Sequence, residues 1–161
     1  MKLATIAVIA LGALGAGSVP ALAATEVPVF DGTLKFVDLN EACLDDGWRV
    51  GDSFSLVFRS AVRPSNKRGG GIQLLTSRFG HSMILPDRKP LLGGRRTGTF
   101  QVVAMSGQVG SYTYSAPFDL TISPTSISST TKSIRISGTL KGFSGLPGCI
   151  VTVSGSAKLR P

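Results

Sequence analysis

With a single histidine, His81, and two cysteines, the 161-residue chain holds little from which to build a metal or histidine-dependent catalytic centre. A zinc site draws its ligands chiefly from cysteine and histidine. A nucleophilic triad needs a histidine placed between a nucleophile and an orienting acid that converge from different elements. His81 lies between Gly80 and Ser82, so Ser82 is its neighbour along the chain and not a placed nucleophile. No nucleophile-elbow pattern frames any serine. Acidic residues are also scarce, nine Asp and Glu against 17 Lys and Arg, and no spacing among them selects a glycosidase-type pair. No cofactor motif is present either, so the chain reads as non-enzymatic, and His81 as a strand or turn residue without a chemical role. An enzyme built on an unrecognised motif ranks last among the readings considered.

Long apolar runs are equally scarce, and the exception is the first 23 residues. Lys2 precedes a run of Ala, Leu, Ile, Val and Gly that ends in the small-residue site Ala21-Leu22-Ala23. That pattern predicts a secretory signal peptide over residues 1–23 and a mature chain of 24–161. Gly12, Gly15, Gly17 and Pro20 interrupt the run before it could span a bilayer, and no basic cluster follows it to stop transfer. The expected location is therefore periplasmic or extracellular, with no transmembrane segment left after cleavage. In an oxidising compartment the two cysteines, Cys43 and Cys149, are expected to form one disulfide. The remainder is one domain long, without internal repeats, coiled coil or low-complexity tail.

A helical period is also missing beyond the leader, and two-residue alternation takes its place. Residues 33–39 set Leu34 and Phe36 against Thr33 and Lys35, with Asp38 standing where an apolar residue belongs and predicting a bulge or strand end. Residues 53–62 set Phe54, Leu56 and Phe58 against Ser55, Val57 and Arg59. Residues 72–85 are largely apolar, and Gly80 among them marks a bulge or a turn between two short strands. Strands are expected over 99–105 and 109–122, the latter with Tyr112, Tyr114, Phe118, Leu120 and Ile122 on one face and Pro117 at a break, bulge or edge. Both tyrosines are read as core residues with their hydroxyls at a rim. Residues 133–141 and 149–159 alternate most regularly, and Leu146-Pro147-Gly148 between them suits a type II turn. The fold class is all-β, a small antiparallel barrel or sandwich of about seven or eight strands, with the barrel favoured. Ser, Thr, Arg and Lys on the outward positions of the last two strands argue against a lipid-facing wall.

The formal charge of +8, or +7 once Lys2 leaves with the leader, points to anionic partners. Arg63, Lys67 and Arg68 share one glycine-rich loop, and Arg88, Lys89, Arg95 and Arg96 cluster in another. Such loops can hold phosphate, sulfate or carboxylate through guanidinium forks and backbone amides. The expected ligand is an anionic glycan or lipid head group; nothing in the pattern marks specific nucleic-acid recognition. If 72–85 is one strand, the two loops lie at opposite ends; if it folds back, they share one. Asp38, Glu41, Asp45, Asp46 and Asp52 surround Cys43, but their spacing is not that of a calcium loop, and no metal is expected there. Trp48 reads as packing near the disulfide.

Gly32-Thr33-Leu34-Lys35-Phe36 followed by Cys43 resembles the opening of fimbrial subunits assembled by donor-strand exchange. The second cysteine lies near the chain end and the tyrosine typical of the fimbrial C-terminus is missing, so no functional residue is carried across. The leading reading is an exported binding module for an anionic or small hydrophobic ligand. A structural or assembly subunit pairing through edge strands is the alternative.

Overall fold

A computed structural model describes residues 27–60, 69–107 and 110–161; the expected leader and the loop bearing Arg63, Lys67 and Arg68 lie outside the described residues. The strands are β1 (Val29–Leu39), β2 (Ser53–Arg59), β3 (Gly71–Leu75), β4 (Phe79–Ile84), β5 (Gly94–Ser106), β6 (Gly110–Ser123), β7 (Ser133–Lys141) and β8 (Ile150–Leu159). Each is antiparallel to the next, and β8 returns to β1, so the sheet closes into an eight-stranded up-and-down barrel and not a sandwich.

Alternation decides which face of each strand turns inward. Leu34 and Phe36, Phe54 to Phe58 at every second position, Val102 and Ala104, Ile134 and Ile136, and Val151 and Val153 are all almost fully buried. An eight-stranded barrel is just wide enough for side chains to fill. Phe30 packs edge-on against Phe58, and Phe100 stacks on Phe118 with ring centroids 4.2 Å apart.

The expected bulge at Asp38 is present as a register shift between Phe36 and Asp38 against β8. The break within 72–85 is a turn, but it is not at Gly80. The chain reverses at Thr76–Arg78, where the Thr76 hydroxyl accepts the backbone N–H groups of Arg78 and Phe79. A threonine that caps its own turn does here what glycine was expected to do. Gly80 lies inside β4 between Leu75 and Met105, where a Cβ would stand 3.3 Å from Leu75 Cδ2 and 3.7 Å from Met105 Cε. Pro117 stands one residue outside the β6–β7 ladder, which begins at the Phe118–Leu140 pair. The proline is thus at a local edge and no bulge is needed. The type II turn is present, with Cys149 N–H donating to the Leu146 carbonyl and Gly148 at φ 78°.

The barrel has two rims. The disulfide rim gathers the β1–β2, β3–β4, β5–β6 and β7–β8 connections; the entry rim gathers the other three together with the start of β1 and the end of β8. At the disulfide rim Cys43 and Cys149 are bonded with their Cα atoms 4.7 Å apart. Beside them Asn40 ties β1 to the β7–β8 connection, donating to the Gly148 carbonyl and accepting the Ile150 N–H. Trp48 and Phe143 close this end over Phe36, with centroids 5.7 and 5.1 Å from its ring. Leu91 is buried at the entry rim, where its N–H donates to the Ser60 carbonyl.

Candidate functional site

The reversal at Thr76–Arg78 settles where the basic loops are attached. Because β3 and β4 run in opposite directions, the β2–β3 and β4–β5 connections both spring from the entry rim. They are stitched together there: Gly70 N–H donates to the Lys89 carbonyl, Leu85 N–H to the Gly70 carbonyl, and Leu91 N–H to the Ser60 carbonyl. Arg88 and Lys89 are therefore held beside Ser60 and Gly69, the described residues that flank the loop of Arg63, Lys67 and Arg68. Asp87 and Arg88 both take left-handed backbone, φ 55°, a conformation unusual for residues with side chains.

The other cations of the cluster are not equally available. Arg95 forms a two-pronged pair with Asp119 across the β5–β6 ladder, at 3.0 and 2.7 Å, which holds the Asp119 carboxyl below its ordinary range. Arg96 Nε donates to the Gly93 carbonyl, and Lys89 Nζ stands 3.7 Å from Asp87. Only Arg88 projects from this group without a partner among the described residues. Sequence adjacency therefore overstated the free charge of the cluster, because its counter-ions come from a neighbouring strand and its own turn.

Free cations converge elsewhere, at positions too distant in sequence to read as a cluster. On the outer wall of β1, β8 and β7, Thr33, Ser156 and Arg135 stand side by side in register. Lys35 and Lys158 occupy the rows on either side, next to Ser154 and Asp31. The alternation of these strands signals that all face outward; the β7–β8 hairpin and the closure of β8 onto β1 bring them together.

A buried polar cluster lies under the disulfide rim. His81 Nδ1 is 3.1 Å from the Tyr114 hydroxyl, which accepts the Ser144 N–H, and the Tyr112 hydroxyl is 3.1 Å from Ser144 Oγ. Both tyrosines thus end in hydroxyls at a rim, as their strand parity implied. Ser144 has φ 60° and is buried, so its turn is strained and covered. Burial takes His81 down to about 4 against the opposing pull of Asp46, and pushes the Tyr114 hydroxyl up. His81 Nε2 is buried without a hydrogen-bond partner among the described residues. Tyr114 stands between His81 and Ser144, so the nucleophile–base contact that acyl-transfer chemistry requires is not formed.

The acidic segment follows β1 as a 3-10 turn, Glu41–Asp46, on the disulfide rim, opposite the basic loops. Asp46 accepts the Trp48 indole N–H and Asp52 the Arg49 N–H. Among the described residues no three His, Cys, Asp or Glu side chains group so as to hold a metal ion. Trp48 packs against Phe36, Phe54, Phe79 and Phe143, so it serves the core of this rim. The disulfide is compatible with a non-cytoplasmic location, and no described helix is long and apolar enough to cross a membrane. No protein-family model, curated protein or solved structure matches the chain.

Proposed function

We propose that this chain is an exported, non-enzymatic binding module that holds an anionic ligand, a glycan or a lipid head group, at its entry rim. The observation that carries this reading is the backbone stitching of the β2–β3 and β4–β5 connections, Gly70 to Lys89 and Leu91 to Ser60. It holds Arg88 and Lys89 beside the described residues that flank the loop of Arg63, Lys67 and Arg68, and cations carried on such a fixed base lose less conformational entropy on binding. The acidic 3-10 turn stands at the far rim, so an approaching anion meets a charge gradient along the barrel axis. The interior gives less support to an apolar ligand, because the large side chains of Phe36, Phe54, Phe58, Leu56 and Met83 are buried within it. Export to a periplasm or beyond agrees with the leader pattern and with the Cys43–Cys149 bond.

Binding of the mature protein to heparin and to lipopolysaccharide, followed from low to physiological salt, tests this reading. Tight binding at low ionic strength that weakens steeply with salt is expected, and the triple variant Lys67→Gln, Arg68→Gln, Arg88→Gln should weaken it by about tenfold or more. Failure to bind either polymer at low salt overturns it.

A further inference from the structure

Beyond the entry rim, we propose a second anion site: a trough on the outer wall of β7, β8 and β1 that takes an extended anionic polysaccharide lying along the strands. Two adjoining depressions of about 400 and 340 Å³ meet on this wall and share Thr33, Arg135 and Ser156. Their shape has a cause in the sequence. At inward positions of β1 and β8 stand Gly32 and Gly155, where a Cβ would run into the Ser156 carbonyl and Ala157 on one side and the Thr33 carbonyl and Leu34 on the other. With no side chain propping the wall from within, β1 and β8 close tightly and the outer surface is dented there.

Hydroxyls and cations are distributed over this dent in a regular way. Ser154, Ser156 and Thr33 form its floor, while Lys35, Arg135 and Lys158 rise around it. Rows two residues apart on a strand are about 7 Å apart, and adjacent strands about 5 Å. Lys35 and Lys158 thus stand about 13 Å apart along the strands, with Arg135 between them on the opposite bank. That separation spans more than one sugar ring of an extended chain and exceeds the spread of the oxygens of a single small anion. The hydroxyl floor supplies donors and acceptors for sugar hydroxyls.

Charge balance separates this wall from an ordinary solvated face. The side chains of Lys35, Arg135 and Lys158 make no ion pair or hydrogen bond with other described residues, whereas Arg95 is held by Asp119 and Arg160 by Asp31. Among the described residues the carboxylate lining the trough is Asp31, which is bound at both oxygens by Arg160 at 2.6 Å and held below its ordinary range, so its charge is already answered. Three uncompensated cations around one depression repel one another, and an anionic chain removes that repulsion.

The test is calorimetric titration of the mature protein with a sulfated heparin octasaccharide, with inorganic sulfate as a separate titrant, in low salt. Arg135→Gln and Lys158→Gln are compared with Arg78→Gln, an exposed cation on the β3–β4 turn outside the trough, and with the entry-rim triple variant. The trough variants should each lose about fivefold to tenfold in affinity for the octasaccharide, with Arg78→Gln within twofold. Inorganic sulfate should bind at least a hundredfold more weakly than the octasaccharide. Equal losses for Arg78→Gln and Arg135→Gln would mean generic charge attraction and overturn the trough. Loss only in the entry-rim triple variant overturns it too while sustaining the rim reading, and loss only in the trough variants does the reverse. Unchanged thermal unfolding of each variant is the control, because all three side chains are exposed.

Discussion

His81 is the residue whose chemistry is most altered by the fold. It is enclosed by Trp48, Phe143 and Tyr114, with Asp46 the charged group that acts on it. Burial lowers its pKa from 6.5 to about 4, which favours the neutral ring in the folded state. Between these values the unfolded chain binds the extra proton. The stabilisation is therefore complete above pH 6.5 and is lost as pH falls towards 4, by on the order of 3 kcal/mol. Urea unfolding at pH 7 and pH 4.5 should show a smaller loss of stability in His81→Phe than in the wild type; identical losses would contradict a buried neutral imidazole. Gly32 is the second telling residue. An alanine there meets backbone on β8, and Gly32→Ala should cost about 3 kcal/mol or prevent closure. Chemical denaturation measures it, and a cost under about 0.5 kcal/mol, the range of ordinary surface changes, would mean that β1 and β8 do not approach so closely.

At the scale of strands and turns, the Cys43–Cys149 bond links the segment after β1 to the start of β8 across 106 residues. Replacing both cysteines with alanine should cost about 4 kcal/mol by the loop-entropy argument, read from the denaturation midpoint. A shift near zero would place the bond outside the cooperative unit. The alternating stretches 133–141 and 149–159 were readable as strands because their inward residues face one continuous core and their outward ones face water. β1 begins earlier, at Val29, and β5 earlier, at Gly94, than apolar alternation suggests. Asp31 and Gly32 interrupt the pattern in β1, and Arg95, Arg96 and Gly98 hide it in β5, where backbone pairing with β6 sustains the strand without apolar faces. Gly80 drew the turn to itself by composition, while Thr76 made it by hydrogen bonding. Closure also bears on pairing with a neighbour: among the described residues the longest one-sided stretches are 94–100 of β5 and 110–117 of β6, and the former carries two arginines that discourage addition of a further basic strand.

For the whole molecule, function was less legible than fold, for a topological reason. Sequence proximity singled out Arg88, Lys89, Arg95 and Arg96, yet Asp119 on β6 and Asp87 within the same connection pair with Arg95 and Lys89, two of these four charges. Lys35, Arg135 and Lys158 were readable only as outward residues on three separate strands, and the pairing of β8 with both β1 and β7 is what assembles them. A net charge of +8 arranged with the acidic turn at one rim and basic loops at the other predicts attraction to polyanions that is lost in high salt. The large apolar side chains buried inside the barrel favour a ligand held on the outside. The most direct measurement is an amide NMR titration of the 15N-labelled mature protein with the heparin octasaccharide at low ionic strength. A surface binder moves amides at Arg88 and Lys89 on the entry rim or at Thr33, Arg135 and Ser156 on the outer wall, and leaves Leu56, Met83 and Val102 in place. Shifts concentrated on those inward residues, or no shifts at any site, would contradict it.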